Sequence, residues 1–139
     1  MASKYNYSAA LRNAKMDAIT AHVGSGAVIK LYDNTAAQPA GPGTAVPGGS
    51  ILLATWTESG VFAPSASNGV LSPTLPSNVN AVATGTPGWF RVFKSDGTTA
   101  CIDGSAGASA TDMIVTGSIV SGQPVQMNSW SITDGNASH

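Results

Sequence analysis

The stretch from Trp89 to Asp103 limits the possible folds most, because it carries the strongest hairpin signal in the chain. Two runs rich in aromatic and β-branched residues flank Ser-Asp-Gly-Thr at 95–98, and Asp-Gly between such runs is typical of a type I′ turn. Side chains alternate along a strand, so Phe90 and Val92 share one face while the odd-numbered residues point to the other. A ribbon that is apolar on both faces belongs in the middle of a sheet, and we expect the fold to be built around it.

Shorter strands are predicted on both sides of this hairpin, with turn signals between them. Residues 112–115 and 118–120 are predicted to be short extended pieces, and a bulge is expected near Asn128 and Ser129, where the apolar phase shifts. Residues 104–111 are predicted to form a polar loop. The remaining predicted strands cover residues 27–32, 51–57, 61–63, 69–75, 78–84 and 124–133. About eight short strands with one leading helix predict a mainly β fold, an antiparallel β-sandwich of jelly-roll-like type in a single domain spanning 1–139.

The convincing helix lies at residues 8–23, within an N-terminal segment that spans 1–26. Ser8 is placed to cap its N-terminus, and the Gly-Ser-Gly sequence at 24–26 supplies the positive-φ stop. Leu11 lies among alanines on one side of the helix, whereas a second apolar side carries Met16, Ile19 and Val23. Two apolar sides predict a helix held between its own sheet and a partner, and an ordinary surface helix is the alternative.

Residues 33–50 form a Gly/Pro-rich loop or arm, with three prolines and four glycines. No regular element survives such a composition, and loops of this length are uncommon in compact domains unless they serve a function. Its candidate interaction residues are Pro39, Pro42, Val46 and Pro47. A contact arm is therefore predicted, and a passive mobile loop remains the alternative.

The composition is poor in charge, with 9% charged residues against roughly 25% in an ordinary soluble domain. Such a surface favours association, and suits a subunit whose sides are covered by copies of itself or by a larger assembly. The net charge of −1 and scattered cations give no footprint for nucleic acid. We find no apolar run long enough for a membrane span and no signal-peptide core near the N-terminus, which predicts synthesis in a cytoplasm.

No catalytic constellation is evident in the sequence. The histidines are His22, inside the helix, and His139, the last residue. Acyl transfer needs a nucleophile, a base and an orienting acid, so a triad would have to use His22. Cys101 is the only cysteine, which excludes an intramolecular disulfide and a thiolate zinc site and predicts a buried, inert thiol. We predict no enzyme activity, no cofactor and no metal requirement.

Two ligand-binding alternatives stay open at this point. Glu58 is the only glutamate, and turn chemistry accounts for four aspartates beside Asn or Gly. The same oxygens could gather into a calcium site. Exposed aromatic residues could instead stack on sugar rings, although core packing is their more common fate. The aspartates are Asp33, Asp96, Asp103 and Asp134, and the aromatic residues are Tyr32, Trp56, Trp89 and Trp130.

Over nearly its whole length the chain resembles a group of small structural proteins from tailed bacteriophages and prophages. The matching segments are YNYSAALRNA (5–14), DAI (17–19), IKLYD (29–33), GVFAP (60–64), ATGT (83–86) with WFRV (89–92), SDGT (95–98) with IDGS (102–105), IVSGQPV (119–125) and ITDGNA (132–137). The group carries no catalytic motif to transfer, and its members are virion components. The resemblance implies a structural subunit of the virion.

The preferred hypothesis is a non-enzymatic virion protein, a capsid decoration or cement subunit that self-associates and binds the particle. Its partners would be copies of itself and other virion proteins such as the major capsid protein, with no nucleic acid or membrane partner. Its location would be the virion, after synthesis in the host bacterial cytoplasm. The alternatives are a protein associated with the neck, tail or fibre, and a module that binds host glycans.

Overall fold

A computed structural model of the chain describes residues 5–134. The described part contains one helix, α1 (Ala9–Val23), and ten strands. The strands are β1 (Val28–Asp33), β2 (Leu52–Thr57), β3 (Val70–Leu71), β4 (Val79–Asn80), β5 (Pro87–Phe93), β6 (Ala100–Gly107), β7 (Met113–Val115), β8 (Pro124–Val125), β9 (Met127–Trp130) and β10 (Ile132–Thr133). A mainly β fold with one N-terminal helix is confirmed.

The main sheet has six strands in the order β2-β1-β5-β6-β7-β9. Its pairs are antiparallel except for β6 and β7, which run parallel, so the sheet is mixed. Two smaller ribbons pair β10 with β3 and β4 with β8. The structure therefore confirms a β-rich fold. It differs from the expected sandwich of about eight antiparallel strands, because the main sheet is mixed and the described residues form ten strands.

The hairpin is confirmed as the centre of the sheet, because β5 pairs with β1 on one side and β6 on the other. The expectation of a type I′ turn is wrong. Gly97 has φ +71°, but Asp96 stays out of the positive region, and the Gly97 amide donates to the Lys94 carbonyl oxygen at 2.9 Å. The Asp96 carboxylate accepts the amides of Thr98 and Thr99, each at 2.8 Å, so a side chain rather than a second left-handed residue closes the turn.

Several predicted strands are shorter or broken in the structure. Residues 61–63 form no strand, and the strand predicted at 69–75 is reduced to β3, because Pro73 has no amide to donate. The last predicted strand is divided into β8, β9 and β10. The predicted bulge is confirmed at Asn128: Ile114 pairs with Ser129 and Val115 with Met127, which leaves Asn128 as the extra residue.

The helix follows its sequence signals at both ends. Its N-cap is Ser8, whose hydroxyl accepts the Leu11 amide at 3.1 Å, and Gly24 ends it with φ +78°. Of its two apolar sides, only the one with Met16 and Val23 is buried; the alanine side faces solvent. The helix adds these two side chains to a core that includes Phe90 and Trp130, whose rings meet edge to face at 4.9 Å.

Candidate functional site

The second face of the central hairpin carries a buried ion pair. Arg91 on β5 lies opposite Asp103 on β6, with 2.6 Å between Nε and Oδ1 and 2.9 Å between Nη2 and Oδ2. Their side chains are 4% and 2% exposed. The hydrogen bond to Asp103 raises the pKa of Arg91, and burial raises the pKa of neighbouring Tyr32, which stacks on Trp89 at 4.4 Å. The prediction that Asp103 belongs to a turn is wrong, because the strand continues past it.

The Gly/Pro-rich segment 33–50 is attached to this face at two points. Arg91 Nη2 donates to the Gly41 carbonyl oxygen at 3.1 Å. At the base, the Asp33 carboxylate accepts the Ile51 amide at 2.9 Å and the Thr35 hydroxyl. Burial raises the pKa of Asp33, but these hydrogen bonds outweigh it and leave that pKa lowered. The segment is therefore held to the sheet by polar contacts at its middle and at its base.

The candidate interaction residues of this segment lie at its surface. Val46 is 37% exposed, and Pro39, Pro42 and Pro47 are half-buried. They remain available for contact with a partner, and the role of the segment as a contact arm stays a prediction.

The helix residues singled out by the sequence separate into two groups. Leu11 is 47% exposed and remains a candidate for contact with a partner. Met16 and Val23 lie in the core of the chain, and Ile19 packs against that core. Burial within the chain leaves Met16 and Val23 no surface for a partner, whereas Ile19 is half-buried and its role in a contact stays a prediction.

An apolar surface that the sequence analysis missed lies on a ribbon formed by residues 79–85 and 119–125. Val79 pairs with Val125 and Gly85 with Ile119. Between these pairs the Gly122 amide donates to the Ala81 carbonyl oxygen and the Ala81 amide donates to the Gln123 carbonyl oxygen, each at 2.8 Å, so Gly122 and Gln123 both lie opposite Ala81. On this ribbon Val82 is 63% exposed and Val120 is 49% exposed. We call Val82 and Val120 the valine pair.

The spacing of Val79 and Val82 is a sequence feature that could have indicated this exposed surface. Val79 and Val82 are an odd number of residues apart, so an extended chain points them to opposite faces. One of the two must then face away from the core. The Val82 amide also donates to the Leu53 carbonyl oxygen at 2.8 Å, which fixes the ribbon to the outer edge of β2.

The four aromatic residues considered as a sugar platform are all buried. Their exposures are 7% for Tyr32, 0% for Trp56, 1% for Trp89 and 6% for Trp130. Ring stacking on a sugar needs an exposed face, so a platform built from these residues is excluded. Core packing is their role in this fold.

The polar residues weighed for chemistry are dispersed. Within residues 5–134, no group of three or more His, Cys, Asp or Glu side chains is placed to hold a metal ion. His22 is exposed in the last turn of α1, and His139 lies outside the described residues. Cys101 is half-buried, and burial raises the pKa of its thiol, which disfavours the reactive thiolate.

The described aspartates serve as internal acceptors or ion-pair partners. Asp17 accepts the Ala66 amide at 2.7 Å, and Asp112 accepts the Ser105 amide at 2.9 Å. Asp134 accepts Lys15 Nζ at 3.0 Å, which joins the helix to the end of β10. Turn chemistry therefore explains Asp96, whereas Asp134 tethers the helix.

Comparison with known proteins gives no family for the chain: no protein-family model, no curated protein and no solved structure matches it. Within residues 5–134, α1 is too short and too polar to cross a membrane.

Proposed function

We propose that this chain is a non-enzymatic virion structural protein of a tailed bacteriophage or prophage, a capsid decoration or cement subunit. It associates with copies of itself and binds other virion proteins, among them the major capsid protein. It is made in the host bacterial cytoplasm and acts in the virion.

The observation that carries this proposal is the valine pair. Two large apolar side chains, 63% and 49% exposed, lie on one ribbon of a chain with only 9% charged residues. Apolar area left in water favours association, and few charges oppose the approach of a second surface. Val82 and Val120 are therefore assigned to the contact between subunits.

Further exposed apolar side chains support repeated contacts over the surface. Among the described residues, six more large apolar side chains are at least 37% exposed: Tyr5, Leu11, Val46, Ile51, Val61 and Leu75. A subunit of a closed lattice has neighbours on several sides, and apolar positions on several elements fit that role.

Quantitative mass spectrometry of purified particles tests the proposal. A virus that encodes this chain is purified by density gradient, and the chain is quantified relative to the major capsid protein. We expect a copy number that scales with the capsid lattice. Absence of the chain from infectious particles would refute a virion role.

The same measurement separates the alternative, a subunit associated with the neck, tail or fibre. A copy number matching a single ring or fibre would favour that location over the capsid surface.

Incorporation of a V82D/V120D variant into particles tests the valine pair. The control is S25D/T98D, which adds two charges at other exposed positions.

A further inference from the structure

Glu58, the only glutamate, is the described acid whose carboxylate has no hydrogen-bond partner. It follows β2 directly, and its backbone amide donates to the Ala27 carbonyl oxygen at 2.8 Å, which fixes the chain at this point. The residue is 4% exposed, and within residues 5–134 its Oε1 is buried without a donor. The six aspartates, in contrast, each accept at least one hydrogen bond.

Glu58 lines a cavity of about 360 Å³. The other lining residues are Thr55, Thr57, Ser59, Thr74, Leu75, Pro76, Ser77, Asn78 and Val79. Six of these nine carry a hydroxyl or an amide, and three are apolar. No lysine, arginine or histidine of the described chain lines it, so the carboxylate faces the cavity without a counter-charge.

Burying a carboxylate oxygen without a donor is unfavourable, because the charged form loses part of its hydration and gains no hydrogen bond in exchange. Burial, the one cause acting here, raises the pKa of Glu58 from 4.5 to about 7. A ligand that brings a positive charge and N–H donors would remove this penalty. The hydroxyl groups of the lining can accept the remaining N–H bonds.

We propose that the Glu58 cavity binds a primary ammonium or guanidinium group carried on an alkyl stem, in the form of a lysine or arginine side chain of a neighbouring protein. Leu75, Pro76 and Val79 would pack against the stem, while Glu58 pairs with the charged end. A divalent cation fits less well, since calcium requires six or more oxygen ligands and usually several carboxylates. Sugar stacking is unsupported because no aromatic residue lines the cavity.

The surroundings favour a protein as the source of the cation. Leu75 at the rim is 44% exposed. The Thr74 amide donates to the Phe62 carbonyl oxygen at 2.9 Å, which holds the segment containing Val61, 58% exposed, beside the segment containing Leu75. A protein that carries the cation can bury these exposed apolar side chains as well, and an arginine anchor in a pocket is a frequent hot spot of protein–protein contacts. This proposal uses a different surface from the valine pair and does not depend on a virion role.

The experiment exploits the single glutamate, since ¹³C labelling at the glutamate carboxyl gives one signal. The full chain is titrated with pH, first alone and then with n-butylammonium or n-propylguanidinium. We expect a saturable shift of the signal and a Glu58 pKa lowered by about one unit. Affinity should fall by about tenfold for each pH unit below that pKa, because protonation removes the negative charge.

Three controls decide the outcome. The E58Q variant keeps the size of the side chain and should not bind, whereas D96N, which alters an exposed turn carboxylate, should bind normally. n-Butanol, which has a similar stem and no charge, should not shift the signal. An unchanged Glu58 pKa in the wild-type chain overturns the proposal, even if E58Q does not fold, and so does equal binding of butanol.

A second set of ligands tests the source of the cation. Short peptides with a central lysine or arginine should bind at least about tenfold more tightly than n-butylammonium, because their backbone reaches Leu75 and Val61. Equal affinity of peptide and free amine would overturn the assignment to a neighbouring protein and identify a small amine as the ligand.

Discussion

Replacing Arg91 with methionine should destabilise the protein more than any change to a surface charge. The side chain is 4% exposed, and its loss leaves Asp103, 2% exposed, without its two hydrogen bonds of 2.6 and 2.9 Å. Removing one partner of a buried pair costs about 3–5 kcal/mol, because the remaining charge is buried and uncompensated. We expect R91M to lower the free energy of unfolding by about that amount.

A matched control is the neighbouring cation Lys30, which lies opposite Arg91 on β1. Its ammonium is 4.9 Å from the centre of the Phe93 ring, and the residue is only half-buried. A cation–π contact at such a site contributes about 0.5–1 kcal/mol. K30M should therefore cost no more than about 1 kcal/mol, although it removes the same charge from the same face.

The assay is equilibrium urea unfolding followed by tryptophan fluorescence, with R91M, D103L and R91M/D103L compared in a cycle. The double variant should be more stable than the sum of the single losses predicts, by about 2 kcal/mol or more, since it buries no unpaired charge. R91M should also expose segment 33–50 to proteases, because the bond to the Gly41 carbonyl is lost. Equal effects of R91M and K30M, or additive single losses, would refute this reasoning.

Two further predictions concern packing and pH. Gly104→Ala should cost about 1–3 kcal/mol, because a Cβ there would lie 2.5 Å from Cε1 of the buried Phe90 ring; Gly43→Ala, with nothing within 4 Å, should change stability by less than about 0.5 kcal/mol. Urea unfolding measures both, and equal losses would contradict the expectation. Burial raises the pKa of Glu58 from 4.5 to about 7, so between these values the folded chain binds more protons than the unfolded chain and stability falls as pH rises. E58Q should be more stable than the wild type by up to about 3 kcal/mol near pH 8 and about equally stable near pH 4. A difference that does not change with pH would contradict this.

The hairpin and the helix were predictable because local signals determine them. Asp96 and Gly97 between two apolar runs gave the hairpin, and Ser8 with Gly24 gave both ends of the helix. The shift of apolar phase after Met127 likewise located the bulge at Asn128. Each of these features depends on backbone geometry within a few residues.

The features that the sequence did not reveal depend on tertiary contacts. Gly104 is predicted to begin a polar loop, yet β6 continues through it in register with β5, and the Phe90 ring occupies the space where a Cβ would lie. Arg91 and Asp103 are equally far from Gly97 along the chain, and their pairing required the register of the hairpin.

The separation of core from candidate interface also required the packed structure. Met16 and Leu11 occupy different sides of one helix, and the helical period cannot say which side meets the sheet. The place of Val82 and Val120 at the surface depends on the pairing of two segments about forty residues apart in sequence.

Sedimentation velocity of the purified chain tests the central claim, that this protein acts by associating through its apolar surface. We predict that the wild type forms a concentration-dependent oligomer and that S25D/T98D behaves in the same way. V82D/V120D should remain monomeric with an unchanged circular dichroism spectrum, because a charge at the contact must be desolvated without a partner. A wild-type chain that stays monomeric up to millimolar concentration, or a V82D/V120D variant that associates as strongly as the wild type, would contradict the account.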